Sequence, residues 1–71
     1  MLKPEVGHSY RLVRDLEVRD EHTGTLKHLI RKGDVVKVKK IEEEMDRIYL
    51  EGVPLPAALR AFGMHIQAAG E

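Results

Sequence analysis

The chain has no cysteine, no tryptophan, no asparagine, one serine (Ser9), one glutamine (Gln67) and three aromatic residues, Tyr10, Tyr49 and Phe62. Without cysteine there is neither a disulfide framework nor a thiolate metal cage, so a hydrophobic core has to carry the fold, and a cytoplasmic setting is expected. No apolar run approaches the roughly 18 residues that a membrane span needs. Residues 1–10 also lack the apolar stretch and cleavage site of a signal peptide, so no membrane association is expected. The scarcity of amides beside 34% charged residues resembles the composition of thermophile proteins. What is present, 71 residues with 12 Lys+Arg against 12 Asp+Glu, describes one small charge-balanced domain, with an ordered core over about 8–67 and a frayed C-terminal tail.

The same scarcity argues against catalysis. Ser9 is the only hydroxyl nucleophile of its kind, and its neighbour His8 points to the opposite face of a strand, where it cannot serve as a base. A chain this short also has little room for a deep cleft, so the expectation is a protein that is not an enzyme and carries no cofactor. Of His8, His22, His28 and His65, only His22 and His28 flank a common turn, and two histidines do not close a tetrahedral site. Glu42, Glu43, Glu44 and Asp46 lack the alternating ligands and glycine of a calcium loop. No metal is expected.

Hydrophobic periodicity organises the chain. Tyr10, Leu12, Leu16 and Val18 recur at even spacing, which is the period of a strand, and Arg14 breaks the register, which predicts a bend or bulge there. Residues 20–25 form a polar turn. Leu26 to Ile30 is a second strand, and Arg31-Lys32-Gly33-Asp34 a tight turn with Gly33 in the left-handed region. In Val35 to Ile41, Val36 and Val38 face inward while Val35, Lys37, Lys39 and Ile41 face outward. The acidic run 42–46 is a hairpin tip. Arg47 to Glu51 returns with Ile48 and Leu50 inward and Tyr49 outward. Pro56 and three alanines favour a short helix capped by Gly63, packing Leu59 and Phe62 inward, and Met64 to Gln67 is a last strand with Met64 and Ile66 inward.

The expected architecture is all-β, five strands with one short helical turn before the last. The Lys32-Gly33-Asp34 turn before the central strand, the Val36-to-Leu50 hairpin and the late helix together resemble the SH3-like small β-barrels over about residues 8–67. Gly33-Asp34-Val35-Val36-Lys37-Val38 with Ile48-Tyr49-Leu50-Glu51-Gly52 is also similar to the KOW-type barrels of ribosome and transcription factors, with Glu42-Glu43-Glu44 standing where those have a further glycine turn.

Residues 1–41 hold ten Lys/Arg and six Asp/Glu, and residues 42–71 hold two and six, so the halves carry +4 and −4. Arg31, Lys32, Lys37 and Lys39 can form a basic stripe, with Arg11 and Arg14 nearby. Tyr49 is the one aromatic expected on the surface. Val13, Val35, Ile41, Tyr49, Val53 and Pro54 are apolar residues assigned to the outer face, enough to make a partner patch if they cluster. A proline-ligand groove is excluded, because Tyr10 and Phe62 fall in core register. The sequence therefore predicts a non-enzymatic interaction module, an accessory or regulatory subunit that docks on a larger protein assembly through Tyr49, Lys37, Lys39, Arg31, Lys32, Val35 and Ile41. The alternative is RNA or DNA binding by the same basic face. A homodimer through the 64–67 edge is allowed.

Overall fold

The computed structural model describes residues 2–69. The fold is all-β with one short helix. Seven strands form, β1 Ser9–Leu12, β2 Leu16–Arg19, β3 Leu26–Ile30, β4 Val35–Glu42, β5 Arg47–Leu50, β6 Ala57–Ala58 and β7 Ile66–Ala68, with helix α1 at Leu59–Met64 and a 3-10 turn at Glu43–Met45. Five strands pair in the order β6-β5-β4-β1-β7, and β2-β3 is a separate two-stranded hairpin. Both sheets are open rather than closed into a barrel. The five-stranded sheet ends in two short edges, β6 with two residues and β7 with three.

The first predicted strand is two. The chain bends at Val13-Arg14, as the broken register at Arg14 implied, and then leaves the main sheet as the β2-β3 hairpin. Asp15 stabilises the departure by accepting the Lys32 N–H at 2.8 Å, which ties the bend to the β3-β4 turn. In that turn Gly33 has φ +94°, and the Asp34 carboxylate accepts the Arg31 N–H at 3.0 Å. At the hairpin tip, Asp20 Oδ1 accepts the N–H groups of His22 and Thr23, and Gly24 takes φ +74°. Both turns follow from short polar side chains that satisfy local backbone donors and from glycines where an L side chain is strained.

The core is formed by Tyr10, Leu12, Leu16, Val18, Ile30, Val38, Ile48, Leu50, Ala57, Phe62 and Ile66. Phe62 and Ile48 are fully buried, and the Phe62 ring meets Tyr10 edge to face, with centroids 6.1 Å apart. The Tyr10 hydroxyl reaches the rim of the core and accepts the Glu5 N–H at 2.8 Å. An aromatic at this place thus packs with its body and pins the N-terminal segment with its polar end.

Three local expectations are corrected. Lys39 is an extra residue in the β4-β5 ladder, since Val38 pairs with Leu50 while Lys40 pairs with Tyr49. A bulge of this kind reverses the inside-outside alternation beyond it. Ile41 therefore turns inward, lies opposite Ile48 and packs on the core, and it does not belong to an outer docking face. The second correction concerns Gly63. It lies inside α1 and is buried, and His65 follows the helix with its N–H donated to Phe62 O. Pro56 precedes β6 instead of opening the helix, because Ala57 and Ala58 are taken into pairing with Ile48 and Arg47. The third is Met64, which ends the helix 63% exposed while Ile66 alone of that pair enters the core.

Asp46 explains how so short a helix starts. Its N-cap residue, Ala58, has no side-chain acceptor. Asp46, held in the left-handed region at φ 56°, reaches across from the 3-10 turn instead: its carbonyl accepts the Leu59 N–H and its carboxylate the Arg60 N–H, both at 3.0 Å. Two of the helix's first N–H groups are satisfied from outside the segment.

Candidate functional site

The outer face of the five-stranded sheet divides along β4. At its beginning, Val35 is opposite Arg11 of β1, and Lys37 is opposite Ser9. Val35 is 49% exposed, and neither Arg11 nor Lys37 nor Lys39 lies within ion-pair distance of a carboxylate among the described residues. Arg31 and Lys32 are exposed in the turn that leads into β4. Val35 to Lys40 spans about 16 Å at the rise of a strand, so these two cations and Tyr49 stand at opposite ends of the face rather than in one spot.

At the far end Glu21, Lys40, Glu42 and Arg47 partner one another. The Arg47 guanidinium donates two hydrogen bonds to the Glu21 carboxylate of the hairpin tip, at 2.7 and 2.8 Å, and lies 3.6 Å from Glu42. Glu42 also accepts the Tyr49 hydroxyl at 2.9 Å and stands 3.3 Å from Lys40 Nζ. Lys40 sits over the Tyr49 ring, 5.4 Å from its centroid, in cation-π geometry. The Arg47 hydrogen bonds hold the Glu21 carboxyl below its ordinary value. The Tyr49 hydroxyl, then Lys40, do the same for Glu42, and the His22 and Thr23 backbone N–H groups for Asp20. Glu21 in turn stabilises the Arg47 charge. All three carboxylates are ionised at neutral pH.

Between this network and the hairpin tip lies a groove of about 210 Å³, lined by Asp20, Glu21, His22, Arg47, Tyr49, Leu55 and Pro56. Its lining joins Leu55, Pro56 and the Tyr49 ring to the charged side chains of Asp20, Glu21 and Arg47. A larger cleft of about 500 Å³ opens on another side, where Leu2, Pro4, Ile41, Leu59 and Gly63 form an apolar bed between the N-terminal segment and α1. Its rim mixes Glu43, Glu44 and Asp46 with Lys3 and Arg60, and Asp46 is already occupied in starting the helix. The smaller groove is the better candidate despite its size, because it joins an oriented aromatic, Tyr49, to charged side chains, and Tyr49 pairs with β4 next to Lys39.

The structure thus places Lys39 and Lys37 along β4 between Tyr49 at one end of the face and Val35, Arg31 and Lys32 at the other, and removes Ile41 from it. The six-residue apolar patch does not form as a unit, since Ile41 and Val53 pack on the core. Glu21, Arg47, Leu55 and Pro56 were not read as site residues. The legible signal was Arg47, a lone cation leading an otherwise apolar strand close to an acidic run.

The described residues contain no group of three or more His, Asp or Glu side chains placed to hold a metal ion. They also contain no helix long and apolar enough to cross a membrane. Comparison with known proteins finds no matching family model, no matching curated protein and no matching solved structure.

Proposed function

We propose that the protein is a non-enzymatic interaction module that docks on a partner protein through the outer face of β4 and β5. Its connectivity supports an SH3-like reading: a hairpin excursion leaves the sheet between β1 and β4, a short helix precedes β7, and the strand order is β6-β5-β4-β1-β7. The observation that carries the proposal is the position of Tyr49, which lines the small groove and pairs with β4 beside the bulge at Lys39, where neither Lys39 nor Lys37 is within ion-pair distance of a carboxylate among the described residues. That arrangement fits an extended partner segment with one apolar side chain in the groove and carboxylates over Lys37 and Lys39. Charge complementarity to a short acidic segment needs no excess of positive charge on the whole molecule, and the chain has none.

RNA or DNA binding is the second reading, favoured by the absence of ion pairs at Arg11, Lys37 and Lys39. It is weakened by Tyr49, whose ring lies beneath Lys40 and whose hydroxyl is tied to Glu42, so it offers a base little stacking surface. The two readings separate by salt, because phosphate contacts weaken steeply as counterions compete and an apolar anchor does not. The test is capture from a cell lysate with the tagged wild-type protein and with Tyr49→Ala, after nuclease treatment and at two salt concentrations. Discrete proteins retained by the wild type at high salt and lost with Tyr49→Ala are expected. Loss of everything on nuclease treatment would move the assignment to nucleic acid.

A further inference from the structure

We propose that the β2-β3 hairpin tip is a strap over the Tyr49 groove, and that Arg47 is the clasp, passing between Glu21 when the strap is closed and Glu42 when it is open. The base of the hairpin is fixed, because Leu16, Val18 and Ile30 are buried in the core. Its tip is different. Residues 21–25 are exposed, and the tip's charged tie to the main sheet is the Glu21-Arg47 pair. Both members of that pair line the groove, Glu21 from the tip and Arg47 from β5.

An ion pair at an exposed site contributes little in water, and opening it ordinarily leaves a guanidinium to be solvated. Here a second carboxylate is already waiting. Glu42 stands 3.6 Å from Arg47, and it is held in place by the Tyr49 hydroxyl and by Lys40. When Arg47 releases Glu21 it closes on Glu42, so the open form retains a paired cation and lies close in free energy to the closed form. Such a two-state element can be biased by whatever differs between the states, and a side chain entering the groove is accommodated only by the open one. Asp20 and His22 on the tip, Lys40 and Glu42 on β4 and Tyr49 on β5 are the other titratable groups around the clasp. For its consequence in binding, the strap rests on the docking function proposed above; its motion does not.

The test uses the protein alone. The chain has no cysteine, so Thr23→Cys accepts a single nitroxide label at the tip, and the paramagnetic broadening of the Tyr49 amide reports the closed state. Glu21→Gln keeps the shape and removes the charge of the closed partner, and the open population is expected to rise about two- to fivefold, the span that exposed ion pairs give. Glu42→Gln still accepts the Tyr49 hydroxyl but no longer competes for Arg47, and is expected to lower the open population by a similar factor. Opposite signs support the clasp. Broadening that is unchanged in both variants, or that shifts the same way in both, overturns it. A strap shown to move while lysate capture fails would leave the clasp standing and remove the docking function alone.

Discussion

The two ends of the outer sheet face make opposite use of charge. At the hairpin end, Glu21, Arg47, Glu42 and Lys40 neutralise one another around Tyr49, and their work is to hold β5, β4 and the hairpin tip in register. Along β4 toward the other end, Arg11, Lys37 and Lys39 have no carboxylate within ion-pair distance among the described residues, and Val35 beside them is half-exposed. A charge that is already paired serves the fold, and one that is not is available to a partner. The comparison teaches that a net charge of zero conceals local differences in pairing, with Arg11, Lys37 and Lys39 of β1 and β4 left available on this face.

The largest expected effect erases the comparison by removing the floor beneath both regions. Ile48 is fully buried, opposite Ile41 on one side and Ala57 on the other. Ile48→Ala should cost about 2–5 kcal/mol in a denaturant titration, the range for emptying a packed core site. In a domain this small, that is enough to unfold much of the population.

Next comes the unpaired end. Lys37→Glu combined with Lys39→Glu should leave stability within about 0.5 kcal/mol, while weakening an acidic partner segment at least about tenfold, as reversed charge at close approach does. Equal losses in stability and binding would show that these lysines serve the fold after all. Asp46→Ala sharpens the paired end. It removes the carboxylate that accepts the Arg60 N–H while keeping the carbonyl that accepts the Leu59 N–H, and about 1 kcal/mol should be lost, as for a helix cap, with no change in binding. Calorimetry on the variant, beside the lysine pair, separates the two kinds of role.

The smallest effect is a pH dependence. Glu21 and Glu42 are held below their ordinary value of 4.5, and Asp20 below 3.8. A carboxylate depressed by folding contributes stability that is present above its unfolded value and is lost as pH falls through its folded value. The melting temperature should therefore fall modestly as pH drops below about 4.5. Glu21→Gln with Glu42→Gln should flatten that fall, whereas the Lys37 and Lys39 substitutions should leave its slope in place. A slope unchanged by the double Gln variant would remove the paired network from the account.

Much of the fold could be read from the order of residue types. Alternation gave the inward faces of Tyr10, Leu12, Leu16, Val18, Val38, Ile48 and Leu50, and the break at Arg14 marked the bend into the hairpin. The turns at Gly24 and Gly33 followed from backbone sterics. Ile41 was misread because a bulge is a property of two strands together: nothing within Val35 to Ile41 reveals that Lys39 lacks a cross-strand mate. Gly63 was misread because its reason is tertiary. The helix runs on through Gly63 to Met64, and the N-terminal segment lies against it, with Leu2 N–H donating to Gly63 O at 3.2 Å. Of the candidate site, the outward register of Tyr49, Lys37 and Lys39 was legible. It was not legible in Glu21 and Arg47, 26 positions apart, which only the hairpin's return brings together.

The central claim is that partners dock at the junction of Tyr49 with the unpaired lysines. Its most direct test is amide hydrogen exchange on the protein with and without its captured partner, mapped along the chain. Slowed exchange concentrated in residues 20–22, 36–40 and 47–50 is the predicted result. Protection confined to residues 2–4 and 59–63, around the larger cleft, with the β4-β5 face unchanged, would contradict it.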